Sequence, residues 1–585
     1  MSKSNITEYI IIFVFMLVLS NLGRVFKAFN KNTSDYFRGG ERTTWWLLGV
    51  SVWMSAVSAT VFTGVAGAVY EAGIAPLASN WGIIAAGFIM AAFLASWVRQ
   101  LRLITSVEVI RERFGAFTEQ IYAYITMLLQ PIYGGFQLFA LCIFVSTVFG
   151  FPLKPVILAV ALVIAFYTVT GGKWAVMAAD FLQFLVLVPT SILVAVLAVI
   201  KIGGVGEFIR RSSDAGLFAL SQPAGAFSDG KYTWGWVVAV FCMGMVANLQ
   251  LNWSSRFFAA KDGKEAKRAA WLMVVLFILG TVVFSIPAMV AKVLYSEQVA
   301  AVGAVLNKPA EACYVTVCQN LLPSGMIGLV IMAMFAASVS SMDVAVNSNA
   351  AVIVRNVLPP IRRLFKKKEF SPEKELVASR VTSLLLIGYI TLLALYLSEQ
   401  NGKGIFELVL AFSAFVNLPI VLPAFLVLFF RRAPRCSALL SIIAGLILPQ
   451  LLWIPLLRTL GVDMTYQLRV LAVGISGTLG FFAGYLFPRT DSDEVREQIK
   501  RFYVRMHTPV DFEKEVGDAN DCLQMLIVGR LSLLVAALLL LLLIIPNELW
   551  ARGCIIALAG SVGFIGALLL LFAKRHAQKN RKPSC

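Results

Sequence analysis

Apolar runs of about 20 residues, separated by short polar connections, recur along this 585-residue chain. A helix rising ~1.5 Å per residue needs about that many residues to cross a bilayer core of ~30 Å. The pattern predicts about 15 transmembrane helices, among them the first near 8–23, the second near 44–70, the fifth near 153–170, the seventh near 232–254 and the last near 553–573. One run differs from the rest. Residues 336–349, inside an apolar stretch from about Met326 to Val354, read Ala-Ala-Ser-Val-Ser-Ser-Met-Asp-Val-Ala-Val-Asn-Ser-Asn. Each polar group there needs a partner in a medium without water, so the cluster marks an ion or solute path. Hydroxyl residues also line helix-packing seams, but a seam does not require Asp343.

Two other spans carry polar interruptions. The second holds Ser51, Ser55, Ser58, Thr60 and Thr63, followed by Gly64 and Gly67. Unwinding near Ser55 to Ser58 would bare backbone carbonyls at mid-membrane, which is tolerated only where they line a cavity or hold an ion. The seventh holds Gly244, Asn248, Gln250, Asn252 and Ser254. If spans 2–6 and 7–11 are inverted repeats, these two spans are equivalent and flank a midplane site. A kinked packing helix is the alternative for either span alone.

Composition narrows the class. At 59% hydrophobic and 14% charged residues, the chain reads as an integral membrane protein embedded in a lipid bilayer. The net charge of +18 lies in loops between apolar spans, which argues against nucleic acid as a partner. Alternate loops hold about three-quarters of the 50 Lys and Arg, so that side is expected to be cytoplasmic. This predicts a multi-pass plasma (inner) membrane protein with its N-terminus outside and its C-terminus inside. The first apolar run lacks a small-residue cleavage site and is expected to be a retained span. No G-x-x-x-x-G-K-[ST] motif is present, so ATP is not expected to drive the protein. The two histidines, His507 and His576, fall in polar segments, and no cysteine/histidine metal cluster exists in the sequence. Neither an enzyme nor an organic cofactor is indicated. Cys313 and Cys318 share an expected outer loop, either as a disulfide or as two thiols. The basic run Arg362 to Lys368 reads as a topology determinant, with anionic-lipid binding as the alternative.

The expected organisation is an extra helix and loop (1–43), a first repeat (44–201), an extracellular loop (202–231), a second repeat (232–431) and accessory spans (432–487). A cytoplasmic segment (488–522), either a small amphipathic element or a tether, and two further spans with a basic tail (523–585) complete it.

Four motifs, in this order, resemble the sodium/solute symporters. They are Ser34-Asp35-Tyr36-Phe37-Arg38-Gly39-Gly40-Glu41-Arg42, the second span from Ser51 to Gly73, Tyr167-Thr168-Val169-Thr170-Gly171-Gly172 leading into Asp180 and Gln183, and the double-serine run Ala336 to Ser348. The resemblance implies an all-α, leucine-transporter-type fold with two inverted five-helix repeats. It also implies secondary active symport, with sodium entry driving uptake of a small organic solute by alternating access. Its sodium site would fall on Met54, Val57, Ala337, Ser340 and Ser341, all neutral oxygen donors suited to a hard cation. Asp180 would border the ion-release route. With Ala179 and Val344 where relatives carry hydroxyls, Asp180 and Asp343 are expected to share a second cation or a proton. The alternative is a structural Asp343 bonded to Ser340, Asn347 or another helix. By position, Ala56, Ser58, Thr60, Gln137, Asn248, Gln250 and Trp253 could face the solute. Rival readings are a proton-coupled carrier of the same fold and a transporter-like solute sensor.

Overall fold

A computed structural model describes residue 8 and residues 11–12, 41–103, 105–170, 173–249, 255–303, 306, 308–366, 370–400, 404–461, 463–487, 492–517 and 520–580. Its described residues are helical throughout apart from turns and one isolated bridge between Thr43 and Ala260. In hydrocarbon every backbone N–H and C=O must be satisfied within the protein, and a helix does this segment by segment.

In chain order the elements are α1 (Trp45–Ala56) and α2 (Val61–Ala72), then α3 (Ala75–Gln100), α4 (Ser106–Phe114), α5 (Ala116–Phe149), α6 (Leu153–Phe166), α7 (Val176–Ile202), α8 (Val205–Asp214), α9 (Trp234–Ala247) and α10 (Gly263–Leu294). There follow α11 (Cys313–Leu321), α12 (Met326–Leu364), α13 (Val377–Leu397), α14 (Ile405–Leu426), α15 (Ser437–Thr459), α16 (Tyr466–Leu486), α17 (Asp493–His507), α18 (Asp521–Ile544) and α19 (Leu549–Gln578).

The expected count of about 15 spans is corrected. Among the described residues, 11 helices are long and apolar enough to cross a membrane, or up to 12 if the bent pair α1–α2 is one span. Two of the expected spans became shorter apolar helices, α6 and α9. The 14 residues of α9 reach only about 21 Å at ~1.5 Å per residue, short of the ~30 Å core. It stops where the apolar run gives way to Asn248 and its polar successors. The expected first span, and the motif from Ser34 to Gly40, lie outside the described residues, except for Glu8 and residues 11–12.

The centre of the bundle is α1, which packs on α7, α10 and α12. Trp53 fixes that packing edge-on to Phe184 (5.7 Å) and stacked on Phe284 (6.3 Å). Close approach of α3 and α9 depends on glycine at both sides of the crossing. A Cβ at Gly82 would lie 2.4 Å from the Phe241 carbonyl, and one at Gly244 would lie 2.8 Å from that of Ser79.

On the face rich in basic loops, α17 lies across the ends of several helices. It buries Phe502, Tyr503 and Met506. The Tyr503 hydroxyl donates to the Val427 carbonyl (2.6 Å) and accepts from Arg113 Nε (3.2 Å). Glu515 grips Arg102 through both oxygens (2.5 and 2.7 Å), and Lys261 pairs with Asp521. Residues 492–517 are therefore an amphipathic element fastened to the bundle. Cys313 and Cys318 are free, buried thiols on α11, so the disulfide alternative is set aside.

Candidate functional site

The site begins at the break between α1 and α2, which are bent by 61°. Val57 leaves the helix in an extended conformation (φ −90°, ψ 131°). Serines stabilise the break by offering the backbone local alternatives to helical bonds. Ser55 donates to the Val52 carbonyl (2.6 Å), and Ser58 Oγ lies 2.8 Å from Thr60 Oγ1. Restarting the chain leaves an orphan N–H at Ala59, and Ser338 on α12 accepts it (3.0 Å). Ser338 was not singled out in the sequence. Its place three residues before Ser341, on the same side of the helix, is the signal that could have found it.

Beside the break, oxygens crowd together. Ser341 Oγ lies 2.7 Å from the Val57 carbonyl, 2.9 Å from that of Ala337 and 3.4 Å from that of Met54. A hydroxyl carries one proton, so at most one of these three carbonyls receives a full hydrogen bond from it. Ser340 Oγ, also buried, has no partner among the described residues. The result is a pocket of neutral oxygens with surplus lone pairs at the negative, C-terminal end of α1. Such a donor set fits a hard monovalent cation. Sequence reasoning placed Met54, Val57, Ala337 and Ser341 here, and the structure brings all four together.

Asp180 is handled differently. Its Oδ2 accepts from Ser51 Oγ (2.5 Å) and from Arg256 Nη1 (2.7 Å), and Arg256 also contacts Ser51. Both charged side chains are buried. The expected partner was Asp343, but the structure supplies a counter-charge from the segment after α9. The Asp343 side chain lies outside the described residues.

On the other side of the break is a cavity of about 240 Å³. Ala56, Ser58, Thr60, Gln137 and Asn248 line it as expected, while Gln250 and Trp253 lie outside the described residues. The remaining polar wall was missed: Ser79 and Asn80 on α3, Gln130 and Tyr133 on α5, Ser413 and Asn417 on α14. Gln130, Tyr133 and Gln137 fall at positions i, i+3 and i+7, one face of a helix, which is the signal that would have found them. Tyr133 Oη bonds Ser413 Oγ (2.8 Å), whereas Gln137 Oε1 is buried without a partner among the described residues. Among the described residues no charged side chain lines the cavity. Ser341 lines it too, so one side chain belongs to both the oxygen pocket and the cavity.

A sequence profile described as the sodium:solute symporter family matches residues 36–445, about 70% of the chain. The chain belongs to the sodium:solute symporter family. It is a secondary active carrier, not an enzyme, and it couples sodium to the transport of a small solute across the bilayer. Mouse sodium/glucose cotransporter 1 is 24% identical over 480 residues, covering 76% of this chain and 71% of the relative. Zebrafish sodium/glucose cotransporter 4 is 25% identical over 482 residues, with the same coverage. A solved structure of a Na+-coupled sialic acid symporter, substrate-bound and outward-open, matches with a TM-score of 0.69 at 21% identity. It covers 83% of this chain and 98% of that one. The fold is described by this likeness; the expected leucine-transporter-type arrangement of two inverted five-helix repeats is set aside.

Above the cavity the symporter carries a charged clasp. Lys308 Nζ lies 2.8 Å from Glu71 and 3.3 Å from Glu407, and Glu407 also pairs with Lys231 (2.8 Å). Next to them Glu311 is buried. One of its oxygens accepts from the Ile405 N–H (2.6 Å) and the other has no partner among the described residues. Burial pushes its carboxyl up to about 7, although the bond from Ile405 and the charge of Lys308 oppose this.

Proposed function

We propose that sodium binds at the break, held by the carbonyls of Met54, Val57 and Ala337 and the hydroxyls of Ser340 and Ser341. The solute then occupies the adjoining cavity, against Ala56, Ser58, Thr60, Gln137 and Asn248, with Gln250 and Trp253 assigned to the same site. The observation that carries this reading is the double membership of Ser341. An ion drawing Ser341 and the Val57 carbonyl together ties α12 to the break and orders the cavity wall. That is how occupancy by one substrate would favour the other. Transport follows by alternating access, with the site emptying where sodium is low.

Asp180, neutralised by Arg256, is read as a brace for α1 rather than as a second cation ligand. The uncharged polar lining supports a neutral or zwitterionic organic solute, and relatives described as sodium/glucose cotransporters support the polar, uncharged end of that range. A volume of about 240 Å³ lies below the ~300–1,000 Å³ of drug-sized pockets, which favours a small molecule. Residues 44–431 would form the transporting core, and 432–585 would be peripheral to it. The distribution of basic loops supports an N-terminus outside and a cytoplasmic C-terminus in the plasma membrane.

Thermal unfolding of the purified carrier in sodium against potassium tests the ion site. A ligand selective for the folded state raises apparent stability by mass action. A sodium-specific rise is expected in the wild type and not in Ser341→Ala. An equal rise in both proteins would remove the ion from this place. A panel of neutral sugars and zwitterions, screened in sodium, then identifies the solute.

A further inference from the structure

Gln130, Tyr133 and Asn417 line the solute cavity and also a second, narrower cavity of about 50 Å³. The second cavity continues toward the face rich in basic loops, between α4, the first half of α5 and the second half of α14. Its space admits a few waters, each needing ~10–15 Å³ by this measure, but it is about a fifth of the solute cavity. A solute that fills the first cavity can pass into the second only if the walls part.

Two tyrosines of α5 tie it to α14 on either side of this space. Tyr133 Oη lies 2.8 Å from Ser413 Oγ, with Asn417 in reach of the same hydroxyl, and the Tyr133 ring packs edge-on to Phe412 at 4.9 Å. About three turns nearer the basic face, Tyr122 Oη donates to the Ile420 carbonyl (3.1 Å). The two helices differ in what lies behind them and within them. α13 backs α5 closely: a Cβ at Gly134 would lie 2.7 Å from Ile390 Cδ1, and one at Gly135 would lie 3.0 Å from Leu393 Cβ. α14 is irregular between the two ties. Its turn from Ser413 to Asn417 is π-helical, and Pro419 and Pro423 each lack the N–H of a helical bond. Tyr503 holds the far end of α14 at the Val427 carbonyl, so the freedom of this helix lies in its middle.

The geometry points to the seam between α5 and α14 as the passage by which solute leaves its cavity, with Tyr133 as the positioning residue that latches it. α14 bows away from α5 between Ser413 and Pro423, the Tyr133–Ser413 bond breaks, and the two cavities join. The latch belongs to the wall that the ion orders, so it holds while sodium is bound. That last clause rests on the sodium site proposed above; the latch itself does not.

Thiol labelling of the purified full chain in detergent tests this. The probe is a sulfonate-bearing methanethiosulfonate, which travels through water, and the labelled peptides are read by mass spectrometry. Thr126→Cys places a thiol on the wall of the second cavity. Labelling is expected in potassium and should be slower in sodium. Adding Tyr133→Phe, which keeps the ring against Phe412 and removes the hydroxyl, should speed labelling in sodium about fivefold, the effect of one neutral hydrogen bond. Ser413→Ala should speed it by no more than that, and combining the two should add nothing, because one bond is lost only once. Cys142, buried farther along α5, should stay unlabelled throughout. No labelling in either salt, even with Tyr133→Phe, would close the route. A rate unchanged by Tyr133→Phe would remove the latch, and labelling of Cys142 in parallel would reduce Tyr133 to a structural residue. If Tyr133→Phe speeds labelling but the two salts do not differ, the latch stands and the sodium site falls. Should Thr126→Cys fail to fold, Val416→Cys on the facing helix carries the same test.

Discussion

Two polar clusters lie against α1, and they treat charge in opposite ways. At Ser51, Asp180 and Arg256 supply both signs, and a hydroxyl completes the set. At Met54 to Val57 every described group is a neutral oxygen, one proton serves three carbonyls, and Ser340 Oγ has no partner among the described residues. The first cluster is complete without a visitor. The second holds surplus lone pairs in a dry place, which is costly unless something positive arrives. The difference separates a brace from a binding site more sharply than burial does, because both clusters are buried.

The largest effect on transport should come from Ser341→Ala. It deletes the oxygen that faces three carbonyls and also lines the cavity. A hydrogen bond or ligand contact involving charge contributes ~1.5–3 kcal/mol, so sodium-driven uptake should need about 10- to 100-fold more sodium. Measuring initial uptake against sodium concentration checks this, and an unshifted curve would dissolve the contrast between the clusters.

Arg256→Gln should act on stability instead. It strands a buried carboxylate, and breaking one side of a buried pair costs about 3–5 kcal/mol. Adding Asp180→Asn should recover most of that loss, and the sodium-specific stabilisation should survive in the double variant. Thermal unfolding of the four proteins of the cycle in potassium and sodium reads both quantities. A double variant as unstable as Arg256→Gln alone would mean that the pair is not the reason for the loss.

What could be read beforehand follows the same line. The double serine and the broken helix were legible because their signals are local: several polar residues within a few turns of an apolar run. Most of the cavity wall was not, since an isolated glutamine or asparagine in α5 or α14 looks like packing. Nothing in the sequence says that the chain folds Arg256 back onto Asp180. The clasp of Glu71, Lys231, Lys308, Glu311 and Glu407 is drawn from four distant segments and has no local pattern at all. The number of spans was overcounted because hydropathy registers apolar length without recording where polar residues, as after Ala247, stop a helix short.

The clasp gives a pH-dependent test on the side of the cavity away from the brace. The Glu311 carboxyl titrates near 7 when folded, against 4.5 for an unperturbed group. Between those values the folded state holds a proton that the unfolded state has lost. The contribution is therefore complete below about 4.5 and disappears as pH rises through about 7. The difference corresponds to a change on the order of 3 kcal/mol. Glu71, Lys308 and Glu407 face the same spot, so Glu311→Gln is the control: it should flatten this fall in stability across that window. An identical slope in the variant would assign the fall to its neighbours.

The smallest effect is the most discriminating. Ser340 Oγ makes no bond among the described residues, so Ser340→Ala is expected to remove nothing that the sodium-free carrier uses. In potassium its unfolding temperature should match the wild type or rise slightly, since a buried unpaired hydroxyl costs about 1–3 kcal/mol of desolvation. In sodium the same substitution should lose part of the stabilisation, because the hydroxyl has a partner only when the ion is present. Ser341→Ala differs in principle, as it disturbs the ion-free carrier too through the Val57 and Ala337 carbonyls. A Ser340→Ala protein that is weakened equally in both salts would show that this hydroxyl has a structural partner, and the contrast between a complete cluster and an incomplete one would then rest on Ser341 alone.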